Sequence, residues 1–380
     1  MSIKTLSKRM LAIVVAGAMT MGLAMPTSVF AAEGDTATKK TEAYISKTFN
    51  TEVGKAETFS FEAKQVGGNT ENVTIPNISF TESETGTTTK RAKVLFPTSW
   101  TDAGKYEYKV TETGAAPAIT DTKHQTMIMS KAEYTMDVYV SNGDNGLEIS
   151  NIIVNKKKDD KGTAATGKVD ISNTNKNGFN FTNTYVQEAG TGTDPTNPDP
   201  TYNQFGSLNV SKKIVNANGT AKTSEDTFAF TATFAFPTGT DANTLGGIKD
   251  ANRELVTLAK DGTYTFRLKA NENMKFTGVP VGTTITVKES ATKNYKGSAE
   301  ITINGTQLTP VSATKYNAEL TAVNNEKLGQ KQNTVDVTNT YNDVPVTGII
   351  MNTLPYVLMI ALCGAALMAF VAFKRRRLQN

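Results

Sequence analysis

Two sets of three residues in this 380-residue chain stand where a strand pattern leaves little room for charge. Residues two apart on a strand share a face. In AYISKTF that rule puts Lys47 on the side of Ala43 and Ile45, and in LNVSKKI it puts Lys212 on the side of Leu208 and Val210. The same parity sets Glu112 with Tyr108 and Val110, and Glu289 with Ile285 and Val287. It sets Asn183 with Phe179, Phe181 and Tyr185, and Asn339 with Val335, Val337 and Tyr341. Strand ends curling into solvent would account for one such set. The recurrence of the same three types, in the same order and parity, favours burial instead. Unpaired, these groups would cost several kcal/mol in a core, so each set should converge. Lys213 competes with Lys212 in the second set, and parity favours Lys212.

The chemistry of such a set follows from burial. Desolvation lowers the pKa of a Lys and raises that of a Glu, so a proton can pass between them and leave a neutral amine beside a carboxylic acid. A neutral amine is a nucleophile. Held against an Asn amide, with the acid polarising the carbonyl and shuttling protons, it can form a Lys–Asn amide and expel ammonia. The product is an internal cross-link.

The elements that must position these residues read as strands. KYEYKVTE, TMDVYV and TTITVKE alternate apolar with polar residues, are rich in Thr, Val, Ile and Tyr, and are separated by turns such as SNGDNG. No long stretch carries a helical period. Residues 188–203, EAGTGTDPTNPDPTYN, hold three prolines and two glycines without apolar periodicity and read as an extended linker. The parts on either side repeat one another: AYISKTF matches LNVSKKI, FSFEA matches FAFTA, YKVTE matches ITVKE, and FNFTNTY matches VDVTNTY. The expected fold is all-β, two tandem sandwich domains from a duplication, at 32–187 and 204–343.

Composition narrows the function. Residues 32–347 carry 33 basic against 36 acidic residues, so the formal +4 comes from the two ends and gives no support for nucleic-acid binding. Cys363 is the only cysteine, which leaves no internal disulfide, and His124 is the only histidine, which removes Ser-His-Asp, Cys-His and multi-histidine metal sites. An enzyme is not expected beyond self-cross-linking, nor is a cofactor or a metal. Residues 1–31 read as a secretory signal, with Lys4, Lys8 and Arg9 before an apolar core and small residues before Ala32. Residues 349–373 are long and apolar enough to span a bilayer, and the basic 374–380 would stay on the cytoplasmic side. The box VPVTG, 344–348, lies just before them, and Pro345 keeps it extended.

Taken together, the signal, the two β parts with Lys, V-x-E and TNTY, the VPVTG box and the apolar tail with KRRR resemble a Gram-positive major (shaft) pilin. The likeness is to the two-domain streptococcal T-antigen type. The resemblance implies immunoglobulin-like sandwiches with self-formed isopeptide bonds, Lys47 to Asn183 assisted by Glu112 and Lys212 to Asn339 assisted by Glu289. It implies a sortase that cuts between Thr347 and Gly348, and a Lys of the next subunit as acceptor. Partners would be the sortase, identical subunits, accessory pilins and peptidoglycan, with the membrane only a station before sorting and the cell wall the destination. Val344 departs from the usual Leu, which leaves the type of sortase open, and the YPK-type acceptor box is absent. Acceptor candidates are Lys156, Lys157, Lys158, Lys161, Lys168 and Lys176, with Lys176 favoured; the run NKKKDDK reads more simply as a solvated loop. The competing function is a wall-anchored adhesin or minor pilin that binds a host ligand.

Overall fold

The computed structural model describes residues 40–68, 70–113, 119, 123–174, 177–343, 359–363 and 365–368. The expected signal, Lys176, the VPVTG box with Thr347 and Gly348, most of the apolar segment 349–373 and the basic tail lie outside the described residues. Among the described residues no helix is long and apolar enough to cross a membrane.

The alternating segments form strands. The first part contains β1 (Tyr44–Thr51), β2 (Glu57–Val66), β3 (Ile78–Phe80), β4 (Gly86–Lys93), β5 (Gly104–Thr113), β6 (Gln125–Ile128), β7 (Glu133–Gly143), β8 (Gly146–Lys158), β9 (Ala164–Lys168) and β10 (Asn180–Gln187). They make two sheets, ordered β4-β1-β10-β6 and β3-β2-β5-β7-β8-β9. The second part begins with a short helix α1 (Pro200–Phe205) and continues through β11 (Leu208–Val215), β12 (Phe228–Ala235), β13 (Thr263–Leu268), β14 (Asn273–Phe276), β15 (Thr284–Glu289), β16 (Tyr295–Ile303), β17 (Thr306–Gln307), β18 (Val311–Ser312), β19 (Leu320–Lys327) and β20 (Thr334–Tyr341). Its sheets run β14-β11-β20-β16-β17, with β18 also on β16, and β13-β12-β15-β19. Each pair of sheets encloses an apolar core, so the chain forms two all-β, immunoglobulin-like sandwiches. In the first, Tyr134 packs edge-on to Phe179 and Phe181, and Phe61 lies against Phe181.

Two strand pairs among those described are parallel, β1 with β10 and β11 with β20; the others are antiparallel. Parallel neighbours cannot be joined by a tight hairpin. Here the whole of each sandwich serves as the crossover, so its first and last strands lie side by side. The two pairs share a register: Lys47 faces Phe181 and Phe49 faces Asn183, while Lys212 faces Val337 and Ile214 faces Asn339. Lys and Asn are therefore offset by two residues, on one face, in both sandwiches.

The segment expected as an extended linker is instead laid onto the second sandwich. The backbone N–H groups of Ala189, Gly190 and Gly192 donate to the carbonyls of Val279, Gly329 and Gln330, and Glu188, Ala189 and Thr191 are buried. Gly190 is at φ +81°, and a Cβ there would lie 2.3 Å from the Gly206 carbonyl oxygen, so only glycine lets the two backbones meet this closely. Asp199 caps α1 by accepting from the Thr201 N–H at 2.9 Å, with Pro200 at the first helical position. Glu188 ties the junction together. Its Oε1 accepts from Tyr202 Oη at 2.6 Å, from Ser207 Oγ at 2.7 Å and from the Gly278 N–H, and its Oε2 lies 2.7 Å from His124 Nδ1. His124 belongs to the first sandwich and Gly278 to the second, so one buried carboxylate joins both. Lys327 and Glu52 form a second, exposed bridge between them at 2.6 Å.

Glu188→Ala leaves several buried donors without their acceptor and is expected to lower unfolding stability by about 3–5 kcal/mol. Lys327→Ala should cost under about 1 kcal/mol. Urea unfolding of the two variants measures both, and equal small losses would show that the Glu188 site is wet rather than structural.

Candidate functional site: a buried amine, carboxylate and amide in each sandwich

Lys47 reaches the first core because Ile45, Lys47 and Phe49 of β1, with Ala43 just before it, turn inward, and all four are buried. Asn183 sits on β10 between the inward Phe181 and Tyr185, and Glu112 comes from β5 in the opposite sheet, after the inward Tyr108 and Val110. The three meet at one carboxylate. Lys47 Nζ donates to Glu112 Oε2 at 2.5 Å and Asn183 Nδ2 donates to Glu112 Oε1 at 2.6 Å. The Lys47 and Glu112 side chains are 0 % and 2 % exposed, so water does not share these contacts.

The second sandwich repeats the arrangement with looser geometry. Asn339 Nδ2 donates to Glu289 Oε1 at 2.8 Å, and Lys212 Nζ lies 3.1 Å from the same oxygen. That approach is off the angle of a hydrogen bond, which leaves Lys212 Nζ buried without a hydrogen-bond partner, and Asn339 Oδ1 is separately buried without one. Lys213, the competing amine, points to solvent. Of the acceptor candidates within the described residues, Lys156 is half-buried against Tyr134, and Lys157, Lys158, Lys161 and Lys168 are exposed.

Burial sets the protonation. Desolvation brings each amine down to about 8, against the pull of its neighbouring carboxylate, Glu112 for Lys47 and Glu289 for Lys212. Desolvation also pushes both carboxyls up, although the neighbouring amines and amides pull the other way. The two shifts bring the proton affinities of the amine and the carboxyl toward each other, which eases transfer of a proton from nitrogen to oxygen beside the amide.

In both sites the carboxyl faces the amide nitrogen. The sequence-based expectation had the acid polarising the carbonyl, and the hydrogen bonds place it at the leaving group instead. In the first site the carbonyl has its own donor, the backbone N–H of Ser130, 2.7 Å from Asn183 Oδ1. That bond also fixes the orientation of the amide, since an N–H can donate only to the oxygen. The remaining Asn183 hydrogen points at Met129 Sδ, 3.3 Å away.

Several contributors carried no legible signal. Lys47 Nζ lies 4.2 Å from the centre of the Phe59 ring, and Lys212 Nζ 4.4 Å from that of Phe228. These rings are the first Phe of the repeated FSFEA and FAFTA, so the repeat marked them without revealing their role. The second Phe of each motif stands opposite the carboxylate in the ladder, Phe61 across from Glu112 and Phe230 across from Glu289. Gly297 faces Asn339 across β16 and β20, and a Cβ on it would lie 3.1 Å from Asn339 Oδ1 and from Glu289 Oε2. Asp160, within the run NKKKDDK, accepts from Ser130 Oγ at 2.6 Å and from the Thr182 N–H at 2.8 Å, so one end of that run reaches the site.

Residues 38–186 match the family model described as a Spy0128-like isopeptide containing domain, and residues 206–341 match one described as a domain of unknown function (DUF7601). No curated protein matches the chain. Among solved structures, the major pilin from Streptococcus pyogenes is 19 % identical, with 79 % of this chain and 98 % of that chain covered and a TM-score of 0.30. The T3.2 major pilin from Streptococcus pyogenes is 20 % identical over 80 % of this chain and 100 % of that chain, with a TM-score of 0.29. The T-13 major pilin from Streptococcus pyogenes is 15 % identical at the same coverage, with a TM-score of 0.31.

Gly297→Ala should force Asn339 or Glu289 to yield by a few tenths of an ångström and cost about 1–3 kcal/mol in the second sandwich. Thermal unfolding resolved by domain checks this, and an unchanged transition would show that the site has room for a methyl group.

Proposed function

We propose that each sandwich closes its own Lys–Asn isopeptide bond and that the chain is the shaft subunit of a covalently polymerised surface pilus. The observation that carries the first part is the single buried carboxylate that holds both the amine and the amide in each core. The match of residues 38–186 to an isopeptide containing domain supports the same reading.

A proton leaves Lys47 Nζ for Glu112. The freed lone pair attacks Asn183 Cγ, and the carbonyl electron pair moves onto Oδ1. Glu112 gives a proton to Nδ2 and takes one from Nζ, and collapse of the oxyanion breaks the Cγ–Nδ2 bond. Ammonia departs and the Nζ–Cγ amide remains. Lys212, Glu289 and Asn339 follow the same course.

The parallel first and last strands give the bond a mechanical purpose. A pull on the two ends of a sandwich loads them in shear, and a bridge from Lys47 to Asn183, or from Lys212 to Asn339, carries that load between them. The chain between the bridged residues is left unloaded. On the loop-entropy scale for disulfides, each bond stabilises its domain by about 5 kcal/mol.

The export and assembly part rests on the sequence: the secretory signal, VPVTG, the apolar segment and the basic tail. A sortase cuts between Thr347 and Gly348, the Thr347 carbonyl passes to Lys176 of the next subunit, and the finished polymer is joined to peptidoglycan, with accessory pilins added by the same chemistry.

Intact mass is expected to fall short of the sequence mass by one ammonia per sandwich, with the deficit restored in one sandwich by Glu112→Ala and in the other by Glu289→Ala. A full wild-type mass would end the cross-link reading. The rate of ammonia loss should be bell-shaped in pH. Below the raised Glu112 pKa both groups hold their protons and the amine is cationic; above about 8 both have lost them and no acid remains to release ammonia. A rate that keeps climbing beyond the upper limb would exclude Glu112 as the acid. Cell-wall extracts should show a high-molecular-weight ladder that collapses to one band with Lys176→Ala or with Thr347→Ala; one discrete anchored band in the wild type would sink the shaft assignment.

A further inference from the structure

The two sites differ where the electrophile is held. Asn183 has every polar contact fixed: Oδ1 accepts from the Ser130 N–H, and Nδ2 donates to Glu112 and to Met129 Sδ. Asn339 donates to Glu289, and its Oδ1, buried as deeply, accepts nothing. Attack on Cγ drives negative charge onto Oδ1. A backbone N–H already aimed at that atom stabilises it more as the charge grows, and does so strongly in a dry interior.

The donor is itself held. Asp160 Oδ1 accepts at once from Ser130 Oγ at 2.6 Å and from the Thr182 N–H at 2.8 Å, while the Lys131 N–H donates to the Asp160 carbonyl at 2.9 Å. Thr182 precedes the reacting Asn183, and Ser130 carries the donor. One carboxylate oxygen thus clamps the segment that supplies the N–H to the strand that supplies the carbonyl.

We propose that the Ser130 backbone N–H is the oxyanion donor for closure of the Lys47–Asn183 bond, that Asp160 is the residue that positions it, and that the first sandwich therefore closes before the second. This rests on the cross-link reading above and adds to it the group that acts on the carbonyl. The covalent step is attack of Lys47 Nζ on Asn183 Cγ with loss of Nδ2 as ammonia. The N–H lends a hydrogen bond to Oδ1 while the carbonyl electrons reside there and is unchanged at the end.

The test follows both bonds in one molecule. The full chain is made in a short cell-free pulse and quenched at intervals in denaturing acid. Digestion and mass spectrometry then quantify the Lys47–Asn183 and Lys212–Asn339 linked peptides separately. Loss of an oxyanion donor slows related acyl transfers by about 100- to 1000-fold, and the first bond is expected to outpace the second by at least about 10-fold. Ser130→Ala, which cuts the tether without changing charge, and Asp160→Ala should slow the first bond by about 10-fold or more while leaving the second unchanged.

Asp160→Asn keeps an acceptor oxygen for both donors and should restore most of the rate. The carboxylate of Asp160 pulls the Lys47 amine toward its cationic form, against the larger opposing effect of desolvation and after the stronger pull of Glu112. If Asp160 acted through charge alone, removing it would free the amine and Asn and Ala would behave alike, so rescue by Asn separates positioning from charge. Equal rates of the two bonds, or first-bond rates within about twofold of wild type in Ser130→Ala and Asp160→Ala, would overturn the proposal while leaving the cross-links in place. Absence of both linked peptides from the wild type would overturn the cross-link reading and this proposal with it.

Discussion

Removing an ammonium and a carboxylate from water inside a β sandwich is among the most expensive things a fold can do, and the architecture of both halves accommodates that one requirement. A Lys47 at 0 % exposure is tolerable only because Glu112 stands 2.5 Å away and because both groups are pushed toward their neutral forms. Bringing a carboxylate from one sheet to an amine on the other fixes how the sheets face each other. The amide stands on the strand next to the amine, and in both halves that neighbour is the parallel last strand. An ion pair that would be a poor stabiliser if left alone becomes useful if it is the precursor of a covalent bond.

The duplication keeps the constraint and varies the details. Both halves hold Lys and Asn two residues out of register on parallel neighbours, Glu in the facing sheet, and a Phe ring over the amine. They differ in what surrounds the amide. The first gives the Asn183 amide Glu112 from β5 and both the Ser130 N–H and Met129 Sδ from the approach to β7, with Asp160 from the turn after β8 bonded to Ser130 and to Thr182. The second crowds Asn339 with Gly297 and leaves its carbonyl oxygen bare. Equivalent residues in a repeat need not have equivalent reactivity, because reactivity depends on the shell that positions them as well as on their types.

The same use of a buried carboxylate recurs at the junction. Glu188 gathers a hydroxyl pair, a backbone N–H and an imidazole from both sides of what looked like a tether. Glycines and prolines there give the turns needed to lay the backbone against the second sandwich. The junction is thereby hydrogen-bonded to both sandwiches and is not a slack tether.

By itself the sequence determined the periodic features. Parity along KYEYKVTE, LNVSKKI and FNFTNTY set which side chains face the core, because the period of a strand is two whatever the sheet around it. Repetition of those strings identified the duplication, and parity with Leu208 and Val210 chose Lys212 rather than Lys213. What parity cannot reach is anything made by contact between distant segments. That Glu112 faces the amide nitrogen, that Ser130 offers its N–H to Asn183 Oδ1, and that Asp160 of an ordinary-looking charged run secures that donor were decided only by tertiary structure. Backbone donors have no residue type to read, and the side of an amide that meets an acid depends on how two sheets stack. The folded junction was hidden for a related reason: glycine and proline announce a turn, and only the surface that receives the turn decides whether it becomes a linker or a buried seam.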